Sequence, residues 1–318
     1  MPKGYVMIEA RGLTKRYGDK VAVADLSFVV QPGVVTGFLG PNGAGKSTTM
    51  RMILGLDAPN RGTVTVDGKP YREHSAPMHV VGALLEARST HPGRTAYHHL
   101  LCLAQTAGIP RARVDYLIEL VGLHDVARKR TRTFSLGMGQ RLGIATALLG
   151  DPQTVILDEP VNGLDPEGIR WIRHLLKSLA AEGKTVFVSS HLMSEMAQTA
   201  EHLIVIGRGR MIADTSVGDF IASASRNHVR VRTPDVAALV ALVHGPDVTT
   251  SAEPPDTVLV TGLTTDQIGR AAASAGLTLL ELSPQQASLE EAFMDLTRES
   301  LEFQGSESAE ATDEARTA

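Results

Sequence analysis

The chain has 318 residues, 43% hydrophobic and 21% charged, with a formal net charge of −4. That length suits two globular domains, and the mildly negative charge argues against nucleic acid as a partner. The single cysteine, Cys102, allows no intrachain disulfide and fits a reducing compartment, while signal-peptide features and apolar runs long enough to span a bilayer are both missing.

Residues 6–39 alternate apolar and polar side chains and are punctuated by Tyr17-Gly18-Asp19 and Gln31-Pro32-Gly33, which reads as short antiparallel strands. The apolar run 34–39 leads into a glycine-rich loop at 40–48, and a helical pattern follows over 47–54. Residues 63–68 form another strand and turn. From 96 to 149 apolar residues such as Leu117, Leu120 and Val121 recur at helical spacing. The continuous apolar runs 154–157 and 185–188 suit the buried centre of a parallel sheet. A helix expected over 167–181 joins them into a βαβ unit.

Near 221–226 the pattern changes. Strands are expected over 229–233, near 248, over 257–261 and over 278–282, with helices over 234–243 and 265–275. That order, β-α-β-β-α-β, is the split βαβ arrangement of a small ferredoxin-like sandwich. A helix over 288–301 follows, with Leu289, Phe293 and Leu296 on one face and a Ser288–Glu291 capping box at its start. Beyond 304 the tail is acidic and almost devoid of large apolar residues, so it is expected to be disordered.

The loop reads Gly40-Pro41-Asn42-Gly43-Ala44-Gly45-Lys46-Ser47-Thr48, the form G-x-x-x-x-G-K-[ST]. Glycines at 40, 43 and 45 let the backbone take positive φ and approach a ligand closely. The exposed N–H groups then make a nest for phosphate, and the following helix points its positive end at the same anion. Lys46 adds charge to the β- and γ-phosphates, and Ser47 can ligate Mg²⁺. A glycine-rich turn with an incidental lysine is the bland alternative, and the strand before and helix after argue against it. The ligand class is therefore a nucleoside triphosphate with Mg²⁺.

Two further stretches carry chemistry. The strand 154–157 ends in Asp158-Glu159-Pro160. Asp158 is placed to hold Mg²⁺ through water, and Glu159 to orient or deprotonate an attacking water. Phe134-Ser135-Leu136-Gly137-Met138-Gly139-Gln140-Arg141 precedes a helix expected over 142–149. Taken alone, Ser135 there is either part of an anion site or a plain helix N-cap.

With these motifs in this order, the chain resembles the nucleotide-binding subunit of an ATP-binding cassette (ABC) transporter over about residues 7–220. The resemblance implies an α/β P-loop ATPase core with an antiparallel β subdomain and a helical insert at about 86–150. The expected organisation is an ATP-binding domain at 1–222, a small α+β accessory domain at 223–303 and the tail at 304–318. It also implies ATP hydrolysis with Mg²⁺, an ATP-sandwich homodimer, and a separate multi-span permease that places the chain at the cytoplasmic face of the membrane. Tyr17 matches the aromatic that stacks on adenine. His191, in Val188-Ser189-Ser190-His191, matches the switch histidine of the γ-phosphate, and Asn162-Gly163-Leu164-Asp165 matches the loop that touches the partner copy. Ser135 and Gly137 match the γ-phosphate contacts made from that partner.

Two positions depart from the family pattern. Glu86 stands where a glutamine normally senses Mg²⁺ and the attacking water, and Leu136 replaces a signature glycine. Both resemble the bacterial exporters of drugs, antibiotics and lantibiotics, as does Ser288-Leu289-Glu290-Glu291-Ala292-Phe293 near the C-terminus. The competing classes are a soluble ATPase of the same superfamily and a regulatory nucleotide switch without turnover. Tandem cassettes, a long coiled-coil insert and zinc cysteines are missing, which disfavours the first. Glu159 and His191 disfavour the second.

Overall fold

The computed structural model describes residues 7–86, 90–224, 228–245, 248–285 and 289–294. Contacts divide the chain into two units between Ser216 and Val217, slightly before the boundary expected at 222.

The first unit contains, in chain order, β1 (Ile8–Tyr17), β2 (Lys20–Val30), β3 (Val35–Leu39), α1 (Lys46–Ile53), β4 (Arg61–Val66), α2 (Pro77–Val80) and β5 (Val81–Leu84). There follow α3 (Ala96–Thr106), α4 (Arg111–Leu120), α5 (Leu136–Ala147), β6 (Thr154–Asp158), α6 (Pro166–Ala181), β7 (Thr185–Ser190), α7 (Met193–Thr199), β8 (His202–Gly207) and β9 (Arg210–Ser216). One antiparallel sheet has the order β2-β1-β4, and a larger sheet the order β5-β6-β7-β3-β8-β9. All neighbours in the larger sheet are parallel except β8 and β9.

β3 corrects one expectation. It lies between β7 and β8 in the parallel sheet, not with the antiparallel strands that precede it. Every residue of β3 is buried, and a strand covered on both faces belongs in a parallel sheet. Phe28 of β2 joins the two sheets, its ring centroid 6.0 Å from that of Phe38 on β3 and 5.8 Å from that of Phe187 on β7. Phe38 and Phe187 are themselves 5.0 Å apart. Aromatic pairs of this kind contribute about 1 kcal/mol each beyond burial. They hold β3 and β7 in register, and the carboxyl ends of those strands carry the polar residues described below.

α5 starts at Leu136, not at 142, because Ser135 caps it by accepting from the Met138 N–H at 3.2 Å. The helical insert comprises α3, α4 and α5, with two short 3₁₀ turns between α4 and α5.

The second unit begins with α8 (Val217–Ala224) and continues with β10 (His228–Arg232), α9 (Val236–Leu242), β11 (Thr249–Glu253), β12 (Thr257–Thr261), α10 (Thr265–Ser274) and β13 (Glu281–Gln285). Its sheet order is β11-β12-β10-β13, antiparallel throughout. The chain order β-α-β-β-α-β is the one expected from the sequence, and the sheet order completes a ferredoxin-like sandwich. Val229, Val231, Val258 and Val260 pack with Leu239, Val243 and Ile268 into its own core. The last strand lies three residues beyond the expected 278–282. It contains Pro284, which only an edge strand tolerates, and β13 is an edge. Residues 289–294 are helical. Ser288, Leu296 and the tail lie outside the described residues.

Candidate active site

The glycine-rich loop connects β3 to α1 and borders a cleft of about 330 Å³ lined by Tyr17, Lys20, Ala22, Asn42, Gly43, Gly45, Lys46, Ser47, Thr48, Asp158 and Glu159. Gly43 and Gly45 have φ of 81° and 105°. Gly40 does not share the positive φ expected of it. Its glycine is required by space instead, since a Cβ would sit 2.4 Å from the Ile206 carbonyl oxygen.

Lys46, only 6% exposed, donates to the carbonyl oxygens of Gly40 at 2.6 Å and Pro41 at 3.3 Å. Its Nζ lies 3.7 Å from Glu159 Oε1. Burial pushes the ammonium below its ordinary pKa, against the opposing pull of Glu159 and Asp158. A buried cation backed by carbonyl oxygens at the edge of this glycine-lined cleft suits a polyanion.

The Ser47 hydroxyl donates to Asp158 Oδ2 at 2.6 Å. Ser189 Oγ donates to the other oxygen, Oδ1, and accepts from the Glu159 N–H at 3.0 Å. Glu159 has φ 50°, a left-handed backbone rare for a side chain of its size. Its carbonyl oxygen accepts from Gln140 Nε2 at 3.2 Å. Its carboxylate accepts from His191 Nδ1 at 2.8 Å, so that nitrogen carries a proton. Lys46, Ser47, Asp158, Glu159 and His191 therefore converge at the carboxyl edge of the parallel sheet, where ligands of open α/β sheets bind.

Tyr17 is 48% exposed at the rim. Its hydroxyl donates to Asp57 Oδ2 at 2.8 Å, and the same oxygen accepts from Arg51 Nε at 2.7 Å. Lys15 Nζ sits 5.0 Å from the ring centroid. Burial first, then Asp57, raise the Tyr17 pKa, while Arg51 and Tyr17 hold the Asp57 carboxyl below the usual carboxylate range.

Ser135 and Leu136 line a different cleft, of about 350 Å³, with Thr90, Pro92, Thr131, Arg132, Phe134 and Gly139. Gly137 packs so closely on the 162–165 loop that a Cβ would meet the Gly163 carbonyl oxygen at 2.7 Å. Leu136 is 44% exposed and covers Gly163. Within one chain these residues are not brought to the Lys46 cleft. Glu86 lies exposed just past β5, whose Leu84 pairs with Leu157, so it leaves the sheet at the same edge as Asp158 without lining the cleft. Among the described residues no group of three His, Cys, Asp or Glu gathers as a metal site. Sequence reasoning missed Ser189, Gln140, Asp57 and Arg51. Ser189 and Gln140 lay inside motifs already singled out, whereas Asp57 and Arg51 did not.

A β-α core with a phosphate loop after β3 and a carboxylate-tipped parallel strand, β6, one strand removed from it defines a P-loop nucleoside triphosphatase. A family model described as "ABC transporter" matches residues 23–162, and a second, described as a domain of unknown function, matches 227–290. Bacitracin transport ATP-binding protein BcrA of Enterococcus faecalis is 41% identical over 67% of this chain and 70% of its own length. YdbJ of Bacillus subtilis (strain 168), an uncharacterized ABC transporter ATP-binding protein, is 34% identical over 92% of this chain and 95% of its own. Nod factor export ATP-binding protein I of Paraburkholderia xenovorans (strain LB400) is 39% identical over 73% of this chain and 78% of its own. A solved dimeric ATP-binding cassette, in a post-hydrolysis state with ADP and Pi, superposes with TM-score 0.61 at 25% identity, over 66% of this chain and 98% of that one. An ATP-binding subunit of an ABC transporter superposes with TM-score 0.63 at 26% identity, over 68% of this chain and 92% of that one. The chain belongs to the ATP-binding subunits of ABC transporters, and it is an ATPase.

Proposed function

We propose that two copies of this chain enclose two ATP molecules and power a separate permease that exports an antibiotic-like or other hydrophobic compound. The observation that carries the reading is the division of the site. Lys46, Ser47, Asp158 and Glu159 face one cleft, while Ser135 and Leu136 face another in the same chain. A nucleotide touching both sets needs a second copy.

In this reading Tyr17 stacks on the base. The backbone of Gly40, Pro41, Asn42, Gly43, Ala44 and Gly45, with Lys46 and Thr48, cradles the phosphates. Ser47 and Asp158 offer only hard oxygen donors, 2.6 Å apart, and these fit Mg²⁺ once phosphate and water complete its shell. When bound, Mg²⁺ supplies charge neutralisation at the β- and γ-phosphates. Glu159 orients and deprotonates a water that attacks the γ-phosphorus in line, the bond to the β–γ bridging oxygen breaks, and Lys46 offsets the charge on the phosphates. His191, bonded to Glu159 in one chain, turns to the γ-phosphate in the closed dimer. Ser135 and Gly137 reach that phosphate from the partner copy. Glu86 sits where the resemblance places a residue facing the cation and its water, and it adds negative charge there.

The export reading draws on the names of the bacitracin and Nod factor relatives. No helix among the described residues is long and apolar enough to cross a membrane, so transport needs another chain. The 86–150 insert would touch that chain, and the assembly would sit at the cytoplasmic face. The unit after Ser216 is an accessory domain in this scheme. The test is to purify the tagged chain from its own membranes. Recovery of a multi-span membrane protein supports the reading, and recovery with ribosomes or DNA-repair proteins favours the non-transport class.

A further inference from the structure

Ser189 is fully buried, yet its hydroxyl touches both acidic residues of the site. It lies directly beside Asp158 in the β6–β7 ladder, the two being Cα partners. A serine hydroxyl has one proton and two acceptor lone pairs. The proton goes to Asp158 Oδ1, and a lone pair accepts the Glu159 N–H at 3.0 Å. The donor and one acceptor lone pair of this buried side chain are thus both aimed at the two carboxylate residues.

We infer that Ser189 is a positioning residue for both halves of the reaction. It fixes which oxygen of Asp158 faces the cation site, and it holds the backbone of Glu159 in its left-handed conformation. The inference rests on the proposed roles of Asp158 and Glu159. The first part follows from the donors around Asp158. With Oδ1 tied to Ser189, Oδ2 alone points to Ser47, as their 2.6 Å contact shows. Without Ser189, the carboxylate is free to turn about its last bond, and terminal bonds of this sort have broad minima. The second part follows from φ 50° at Glu159, a conformation that persists only when neighbours over-determine it. Ser189 holds its N–H and Gln140 its carbonyl oxygen, one from each side. Removing Ser189 frees the catalytic carboxylate's backbone and orphans a partly buried N–H at once.

The test compares wild type, Ser189→Ala, Ser189→Thr and Asp158→Ala in the full chain. ATP affinity is measured by calorimetry in EDTA and across a Mg²⁺ titration, and steady-state ATPase is measured in parallel. Hydrogen bonds to charged groups are worth roughly tenfold or more in an equilibrium. Ser189→Ala is therefore expected to need about tenfold more Mg²⁺ for half-maximal tightening of ATP and to lose about tenfold or more in kcat. Its ATP affinity in EDTA is expected to stay within about twofold. Ser189→Thr, which keeps the hydroxyl, is expected to regain the wild-type Mg²⁺ midpoint. A Mg²⁺ midpoint and kcat unchanged in a folded Ser189→Ala, with the midpoint lost in Asp158→Ala, overturn the inference alone. A Mg²⁺ midpoint unchanged in Asp158→Ala overturns the cation reading and the inference with it. If Ser189→Ala melts below the assay temperature, Ser189→Thr decides. A folded Thr variant with both the midpoint and kcat displaced overturns the inference, and one with both at wild type supports it.

Discussion

Tyr17 shows how an exposed side chain can be given one orientation. Its hydroxyl is tied to Asp57, Asp57 to Arg51, and Arg51 belongs to α1, the helix that follows the phosphate loop. Base stacking on an aromatic is worth about 1–3 kcal/mol per base. Tyr17→Ala should therefore weaken ATP about tenfold or more while leaving tripolyphosphate, which has no base, unaffected. Tyr17→Phe should keep the ring and lose only the tether, weakening ATP by about two- to tenfold. Calorimetry with both ligands checks this, and equal losses for tripolyphosphate would mean that Tyr17 acts on the loop and not on the base. Asp158 and Glu159 were legible because they end an apolar strand, Lys46 because it closes the G-x-x-x-x-G-K loop, and His191 only through its register with those motifs. Ser189, Gln140 and Asp57 were not, because their partners are set by lateral pairing. Ser189 meets Asp158 only through the β6–β7 register, and Asp57 meets Tyr17 across 40 residues of chain.

At the scale of elements, the helical insert is pinned to the parallel sheet through Asp151. This residue accepts from Arg113 of α4 at 3.1 Å and from Lys184, which precedes β7, at 2.7 Å. Lys184 and then Arg113 hold its carboxyl below the ordinary value of 3.8. A depressed carboxylate stabilises the fold above its unfolded pKa, and that stabilisation is lost as pH falls through the folded one. Asp151 is 63% exposed, so its ion pairs are worth no more than about 1 kcal/mol. Asp151→Asn keeps a residue that tolerates the φ of 48° found there. The variant should melt about 2–4 °C lower at neutral pH, and the gap should close as pH drops below the usual carboxylate range. Scanning calorimetry at several pH values measures it, and a gap that persists in acid would assign the effect to packing. Elements with one clear period were readable, such as α6 with Ile172, Leu176 and Leu179 on its buried face. β5, β8 and β9 were not anticipated. β5 is four residues long, and β9 has no buried residue to mark a face. β13 was displaced because Leu279 and Leu280 look more strand-like than Pro284, whereas backbone pairing with β10 decides the matter.

At the scale of the molecule, the two residue sets of the proposed site line different clefts of one chain. A twofold dimer repeats every contact, so two copies that each complete the other's cleft form two equivalent sites. In the proposed dimer ATP would touch both sets of residues, and it would shift the population toward the closed form by that difference in affinity. Hydrolysis removes the γ-phosphate that Ser135 and Gly137 would contact, so closure should last only as long as ATP survives. Glu159→Gln keeps the size of the side chain and an oxygen that can accept from His191, but it loses the base. It should therefore bind ATP with Mg²⁺, show ATPase activity reduced about a hundredfold or more, and remain dimeric. Light scattering should read about twice the 33.9 kDa chain mass, against a mixture or monomer for wild type once ATP is spent. A monomeric Glu159→Gln chain saturated with ATP would break the shared-site reading. A dimer that needs no nucleotide would move association away from the clefts. In that case, loss of the dimer on removing residues 217–318 would place it in the second unit, which has a core of its own.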